Sequence, residues 1–313
     1  MGIIYPSQTQ AQGVQVSLQV FYDNLQPYGQ WVNDPQYGYI WVPGNVDPGF
    51  QPYATNGYWI QTQYGNTWVS DYPWGWATFH YGRWFYDDFY GWVWVPDTVW
   101  GPAWVDWREG NGYYGWCPLG PQLGVSVSIP IFGWVFVSQR HFHDRRIYNY
   151  YEPRNRASTI FNNTRIINNT YVYNNRRYSG GPRPSEIERA TRSKVRIYRV
   201  NDENRPGGAV IRNGSLNLYR PRVARQGDIK PSGAIDAATF RAQHSRRGVP
   251  SRGNQGNVSR PQRTENPAGN PPNTKQERRA QPQGQPVQTQ PTRQERRQAP
   301  QQGQQGQAIP QRQ

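Results

Sequence analysis

The chain has 313 residues, room for about two domains, and carries 14 Trp, 22 Tyr, 32 Gly and 28 Pro against only 18% charged residues. A single cysteine, Cys117, excludes an internal disulfide and a cysteine-type zinc site. The formal charge of +15 is uneven: residues 1–139 hold two basic residues (Arg83 and Arg108) and nine acidic ones, whereas residues 140–313 hold 33 basic and 11 acidic ones, so the whole-chain basicity is no nucleic-acid signature.

Residues 1–13 lack the basic and apolar regions of an intact signal peptide. The small residues around Gln10-Ala11-Gln12-Gly13 suit a cleavage site, so this segment reads as a signal-peptide remnant or as an ordinary polar N-terminus. From residue 14 an internal repeat takes over, and repeats set the architecture before anything else. One half-motif is Gly-x-Trp, as in Gly29-Gln30-Trp31, Gly57-Tyr58-Trp59 and Gly82-Arg83-Trp84, with a looser copy in Gly101-Pro102-Ala103-Trp104. The other half is Tyr-Gly followed by Trp: Tyr37-Gly38 with Trp41-Val42-Pro43, Tyr64-Gly65 with Trp68-Val69-Ser70, Tyr90-Gly91 with Trp94-Val95-Pro96, and Tyr114-Gly115-Trp116-Cys117-Pro118. The halves alternate, giving four β-hairpins whose second strands stop at Pro or Ser. Leu123–Ile129 and Ile131–Val137 read as further strands of the same domain, residues 14–138.

Residues 139–227 form an Asn- and Arg-rich β appendix. Within it, Ser185 with Glu188 reads as a capping box opening a helix over 185–193, and 195–200 and 215–219 read as strands. Residues 228–313 turn to Gln, Pro, Arg and Gly, too poor in apolar side chains to offset the entropy of ordering, and read as a disordered tail with a weak helix around 234–245. No stretch approaches the ~20 apolar residues of a membrane helix. The expected fold is therefore all-β: aromatic hairpins closing into a small barrel or sandwich, then the appendix and the tail.

Val20-Phe21-Tyr22-Asp23-Asn24-Leu25, Pro27-Tyr28-Gly29-Gln30-Trp31, Asn66-Thr67-Trp68-Val69-Ser70-Asp71, Phe79-His80-Tyr81-Gly82-Arg83-Trp84 and Tyr113-Tyr114-Gly115-Trp116-Cys117-Pro118 agree in spacing with one family. Together they resemble DUF6600, bacterial proteins with YXWXP-type repeats, common in Bacteroidetes. The resemblance covers roughly residues 17–145, and Leu218–Val223 is similar to a downstream segment of the same family. It implies an exported protein and no particular chemistry, because no activity is established for the family.

Several groups are candidates for chemistry. His141-Phe142-His143 has strand spacing for two metal ligands, but a site needs more ligands than one short segment supplies, so it reads as a polar strand end and no metal or cofactor is assigned. His80 reads as a packed, hydrogen-bonded residue. Asp87, Asp88, Asp106 and Glu109 lie among aromatics, as glycosidase acids do, yet Asp87-Asp88 falls at a hairpin turn where acids are ordinary. No nucleophile elbow, P-loop, dinucleotide fingerprint or zincin motif is present, so the protein reads as a non-enzyme. The Trp array is either core or a contact face. Trp92 and Trp94, on one side of a strand, are the candidate contact residues. The resulting functional expectation is a non-catalytic structural or adhesion-type envelope protein, exported to the periplasm, outer-membrane surface or beyond; the alternative is a carbohydrate-binding module acting on peptidoglycan or exopolysaccharide. A glycan or an envelope protein is the expected partner. The basic tail suits anionic polymer rather than nucleic acid, since it lacks interleaved aromatics.

Overall fold

In the computed structural model the described residues are 15–121, 130–173, 176–225 and 227–245. All of them fall in one of two units into which the chain divides, Met1–Arg252. The segment read as a signal remnant (1–13), the strand read at 123–129 and the tail beyond residue 245 lie outside the described residues.

Strand β1 (Gln15–Ser17) and helix α1 (Gln19–Leu25) lead into four antiparallel hairpins. These are β2 (Gly29–Asp34) with β3 (Gly38–Pro43), β4 (Gly57–Thr62) with β5 (Gly65–Ser70), β6 (Arg83–Asp87) with β7 (Gly91–Val95), and β8 (Val105–Gly110) with β9 (Tyr113–Pro118). A one-turn helix α2 (Gly75–Thr78) precedes the third. After the hairpins come β10 (Val135–Ser138), α3 (Arg154–Asn162), β11 (Arg165–Ile166), β12 (Thr170–Tyr173), β13 (Arg176–Ser179), α4 (Pro184–Thr191), β14 (Ile197–Glu203), β15 (Val210–Arg212), β16 (Ser215–Tyr219), β17 (Arg222–Ala224), β18 (Ile235–Asp236) and α5 (Ala237–Ser245).

Each hairpin places two tryptophans directly opposite each other: Trp31 and Trp41, Trp59 and Trp68, Trp84 and Trp94, and, with Trp107 in place of the motif's Trp104, Trp107 and Trp116. All eight are at most 1% exposed. The repeat spacing thus encodes one cross-strand indole pair per hairpin, the sheet analogue of helical side-chain pairing. The glycine of Gly-x-Trp makes room for it. A Cβ at Gly29, Gly57 or Gly82 would lie within 2.7 Å of the indole of Trp41, Trp68 or Trp94, respectively. Hairpin turns are set by Asp34 and Asp87. Each carboxylate accepts the amides two and three residues on, at 2.8 to 3.0 Å.

The hairpins do not close on one another. The first and third share a five-stranded sheet, ordered β18-β2-β3-β7-β6, in which Trp41 faces Trp94 across the join. Trp31, Trp41, Trp94 and Trp84 therefore run in one row across four strands. The second hairpin is extended by later chain into β15-β16-β14-β4-β5, with β14 parallel to both β4 and β16. The fourth sits in β10-β9-β8-β11. The expectation of an all-β barrel or sandwich is corrected: the described residues are 23% helix and 38% strand, and the sheets are open. Helices fill gaps that a barrel wall would have filled. From α1, Phe21 and Leu25 enter the core at 0% exposure. The C-terminal carbonyls of α1, which have no partner within the helix, accept the indoles of Trp31 (to Tyr22, 3.2 Å) and Trp41 (to Leu25, 3.1 Å). The Thr78 carbonyl ending α2 accepts Trp84 at 2.8 Å.

The first sheet has two apolar faces. Its tryptophan row faces the main core, while Val32, Ile40, Phe85 and Val93 face a small second core closed by Phe240 of α5. Residues 235–245, at the front of the segment read as tail, thus carry β18 and α5. α4 begins one residue earlier than the capping-box reading: Pro184 opens it, and Glu186 accepts the Arg183 amide at 2.7 Å. Glu188 instead holds Val195 and Lys194 beyond the helix.

Candidate functional site

A cleft of about 640 Å³ opens between two pieces of chain that the hairpin pattern does not predict to meet. One wall is the β3–β4 connection, Asp47 to Gly57, with Asp71 following β5. The other is Phe132 to Val135 and Arg145 to Arg154. Asn45, Tyr53 and Asn56 take left-handed backbone conformations, with φ of 50°, 58° and 49°, which curl the first wall back on itself. An aromatic residue at such a φ is uncommon, and Tyr53 is held there from several sides. Its hydroxyl donates to the Phe79 carbonyl (3.1 Å) and accepts the Trp104 amide (3.2 Å), and its carbonyl accepts the Trp116 indole (2.7 Å).

The walls are cross-tied. Gln51 donates to the Gly133 carbonyl at 2.8 Å, and Tyr151 donates to the Ala54 carbonyl at 2.9 Å. Burial raises the Tyr151 phenol above its ordinary range, so it remains a donor. Arg145 donates to the Tyr58 hydroxyl at 3.0 Å and lies over that ring. Exposed rings line the opening: Tyr148 is 54% and Phe132 38% exposed, with Trp134 half-buried beside them. Asp47, Asp71 and Glu152 face Arg145 and Arg154 around the same space. The volume and the mixture of apolar wall with a few polar groups are those of small-ligand sites.

The aromatic surface extends past the cleft. Phe132 meets Tyr86 edge-on at 4.8 Å, and Tyr86 meets Trp92 at 5.6 Å. A second aromatic cluster joins exposed Phe89 to Tyr90 and the buried Phe240. Trp92 and Trp94, the candidate contact pair, lie on one strand face, but that face points inward: Trp94 is 0% and Trp92 8% exposed. A ring without exposed area offers a partner no stacking surface. Trp94 belongs to the four-indole row, and Trp92 lies beneath Tyr86.

The other candidates are separated. His141 pairs with Asp144 at 2.8 Å and stacks on Tyr150, while His143 turns inward to Asn66 at 3.1 Å. Among the described residues, no three or more His, Cys, Asp or Glu side chains are grouped to hold a metal ion. His80, 1% exposed, bonds the Gly101 carbonyl and stacks on Trp100; burial lowers its pKa to about 4. Asp87 is committed to its turn and Glu109 to Arg165 at 3.0 Å. Asp106 lies across β8–β9 from Cys117, and burial raises the pKa of both.

Residues 22–123 match the model of DUF6600, a family of unknown function. The matched stretch spans all four hairpins and the first wall of the cleft, while the second wall lies beyond it. No curated protein and no solved structure matches the chain. The matched stretch therefore supplies the hairpin tryptophans of the core, which later chain completes with Val137, Phe142, Ile147, Leu216 and Leu218, and the cleft joins it to chain outside the match. Sequence reasoning missed Phe132, Trp134 and Tyr148. The signal was there: Trp134 lies beyond the last repeat copy, and Tyr148-Asn149-Tyr150-Tyr151 is an aromatic cluster without strand alternation. No helix among the described residues is long and apolar enough to cross a membrane.

Proposed function

We propose that the protein is a non-catalytic, adhesion-type component of the cell envelope that holds a glycan chain in its aromatic cleft. The observation that carries this reading is the placement of Tyr148, Phe132 and Trp134 beside Asp47, Asp71 and Arg145 in one open cleft. Flat rings stack on the apolar faces of sugar rings, and carboxylates and guanidinium groups take the hydroxyls. An exposed aromatic patch with a polar rim is the usual mark of an interaction site. The binding reading needs no reactive group, and two of the four candidate hydrolytic acids serve other partners: Asp87 the turn amides, Glu109 the Arg165 guanidinium. In this proposal the protein is exported, peptidoglycan or exopolysaccharide is the target, and the basic C-terminal segment contacts anionic surface polymer.

A glycan array tests the reading. The full chain is expected to retain peptidoglycan fragments or exopolysaccharide oligomers, and Tyr148→Ala to lose them. An array on which the full chain retains no glycan overturns the proposal and leaves a purely structural role for the hairpin core.

A further inference from the structure

A second pocket, of about 350 Å³, shares no lining residue with the cleft. It forms where β4 meets the Arg140–Asp144 turn and the stretch from α4 into β14. Its rim carries Arg140, Lys194 and Arg196 against one acid, Asp144. That acid is engaged by His141 at 2.8 Å. Lys194 reaches Glu188 at 3.2 Å, but its side chain stays 93% exposed, and Arg196 lies over Tyr198. The rim therefore carries a positive surplus, which focuses anions.

The inner wall is polar and buried. Gln61 is 2% and Trp59 0% exposed; both line the pocket, and neither Gln61 Oε1 nor Trp59 Nε1 has a hydrogen-bond partner. Buried polar atoms of this kind ordinarily find one. Trp59 Nε1 presents a donor and Gln61 Oε1 an acceptor. His143 adds a second acceptor. Asn66 donates its amide to the Gly180 and Pro182 carbonyls, both at 2.8 Å, which leaves Asn66 Oδ1 to accept His143 Nε2–H and leaves His143 Nδ1 with its lone pair. Ser193 and Thr191 supply hydroxyls near the rim.

We propose that this pocket binds the phosphate or carboxylate group of a small hydroxylated ligand, the anion at Arg140, Lys194 and Arg196 and the hydroxyls against Gln61 and His143. The site is independent of the glycan reading of the cleft.

The test is thermal unfolding of the full chain in inorganic phosphate, in glycerol phosphate and in chloride at equal ionic strength. Ligand that binds only the folded state raises the melting temperature with the logarithm of its concentration. Wild type is expected to show that rise, larger for glycerol phosphate than for phosphate, and the Arg140→Ala/Lys194→Ala variant to lose it. Tyr148→Ala, in the cleft, is expected to keep it. No rise in wild type, or an equal rise in the double variant, overturns the site, because the variant retains every cation of the C-terminal segment. Equal rises for the two phosphates overturn the assignment of the inner wall to hydroxyls and leave the free ion as the ligand.

Discussion

Tyr53, in the β3–β4 connection, ties the end of α2 and the fourth hairpin together through one side chain and one carbonyl, and it does so at a left-handed φ of 58°. Tyr53→Phe keeps the ring but leaves the buried Trp104 amide and Phe79 carbonyl without their partner. The expected cost is ~1–3 kcal/mol, read by urea unfolding. The only two basic residues of the front half are spent in the same manner. Arg83 lies 3.5 Å from the centroid of Trp104, and Arg108 lies 3.9 Å from that of Phe161 while donating to Thr164 and to the Phe161 carbonyl. A lysine cannot reproduce that planar fork, so Arg108→Lys is expected to destabilise the α3 contact by ~1–2 kcal/mol in the same assay. His80 and His143 both have folded-state pKa values lowered by burial to about 4, against 6.5 for the unfolded group. Between those values the unfolded chain binds more protons. The stability these residues contribute is complete above pH 6.5 and is lost as pH falls from 6.5 towards 4. Melting temperature should therefore drop steeply over that window, and His80→Phe/His143→Phe should flatten the drop if the chain still folds.

At the scale of elements, the four-indole row is the organising unit. Trp94→Ala opens a cavity at a position contacting Phe21 and Trp31, at 5.5 and 6.2 Å between centroids, and is expected to cost ~3–5 kcal/mol. Helix α5 covers the reverse face of the same sheet through Phe240, 4% exposed. Phe240→Ala should speed amide exchange in β2 and β18 and leave β4–β5 unchanged. The hairpins were legible because their tryptophans, turn acids and glycines recur at fixed spacings, and each spacing has one physical role. The helices were not. In α1, Phe21, Tyr22 and Leu25 do have helical spacing, but seven residues rich in Val, Phe and Tyr carry strand propensity, and the helix is fixed by what it buries and by the indoles its carbonyls accept. In α3, Ala157 and Ile160 are the whole buried stripe. The cleft was illegible for a further reason. Nothing local in Phe132 or Tyr148 says that Gln51 will tie their segment to the β3–β4 connection.

For the whole molecule, the periodic and non-periodic aromatics divide the labour. Periodic tryptophans lock three open sheets into one core, so the front half needs few aliphatic residues. Aromatics outside the period, Phe132, Trp134 and Tyr148, are the ones that line the cleft beside its acids and arginines. The barrel expected from the repeat fails because hairpins two and four pair with later chain, β14, β10 and β11, rather than with each other. If this division is right, removing surface rings costs binding without costing stability. The most direct measurement is co-sedimentation of the full chain with insoluble peptidoglycan and exopolysaccharide, comparing wild type with Phe132→Ala/Tyr148→Ala well below their melting temperatures, which are measured alongside. The predicted result is that wild type sediments with one of these glycans and that the double variant stays in solution while melting within ~1 kcal/mol of wild type, as exposed substitutions do. A double variant that folds equally well and still sediments with the glycan would contradict the account.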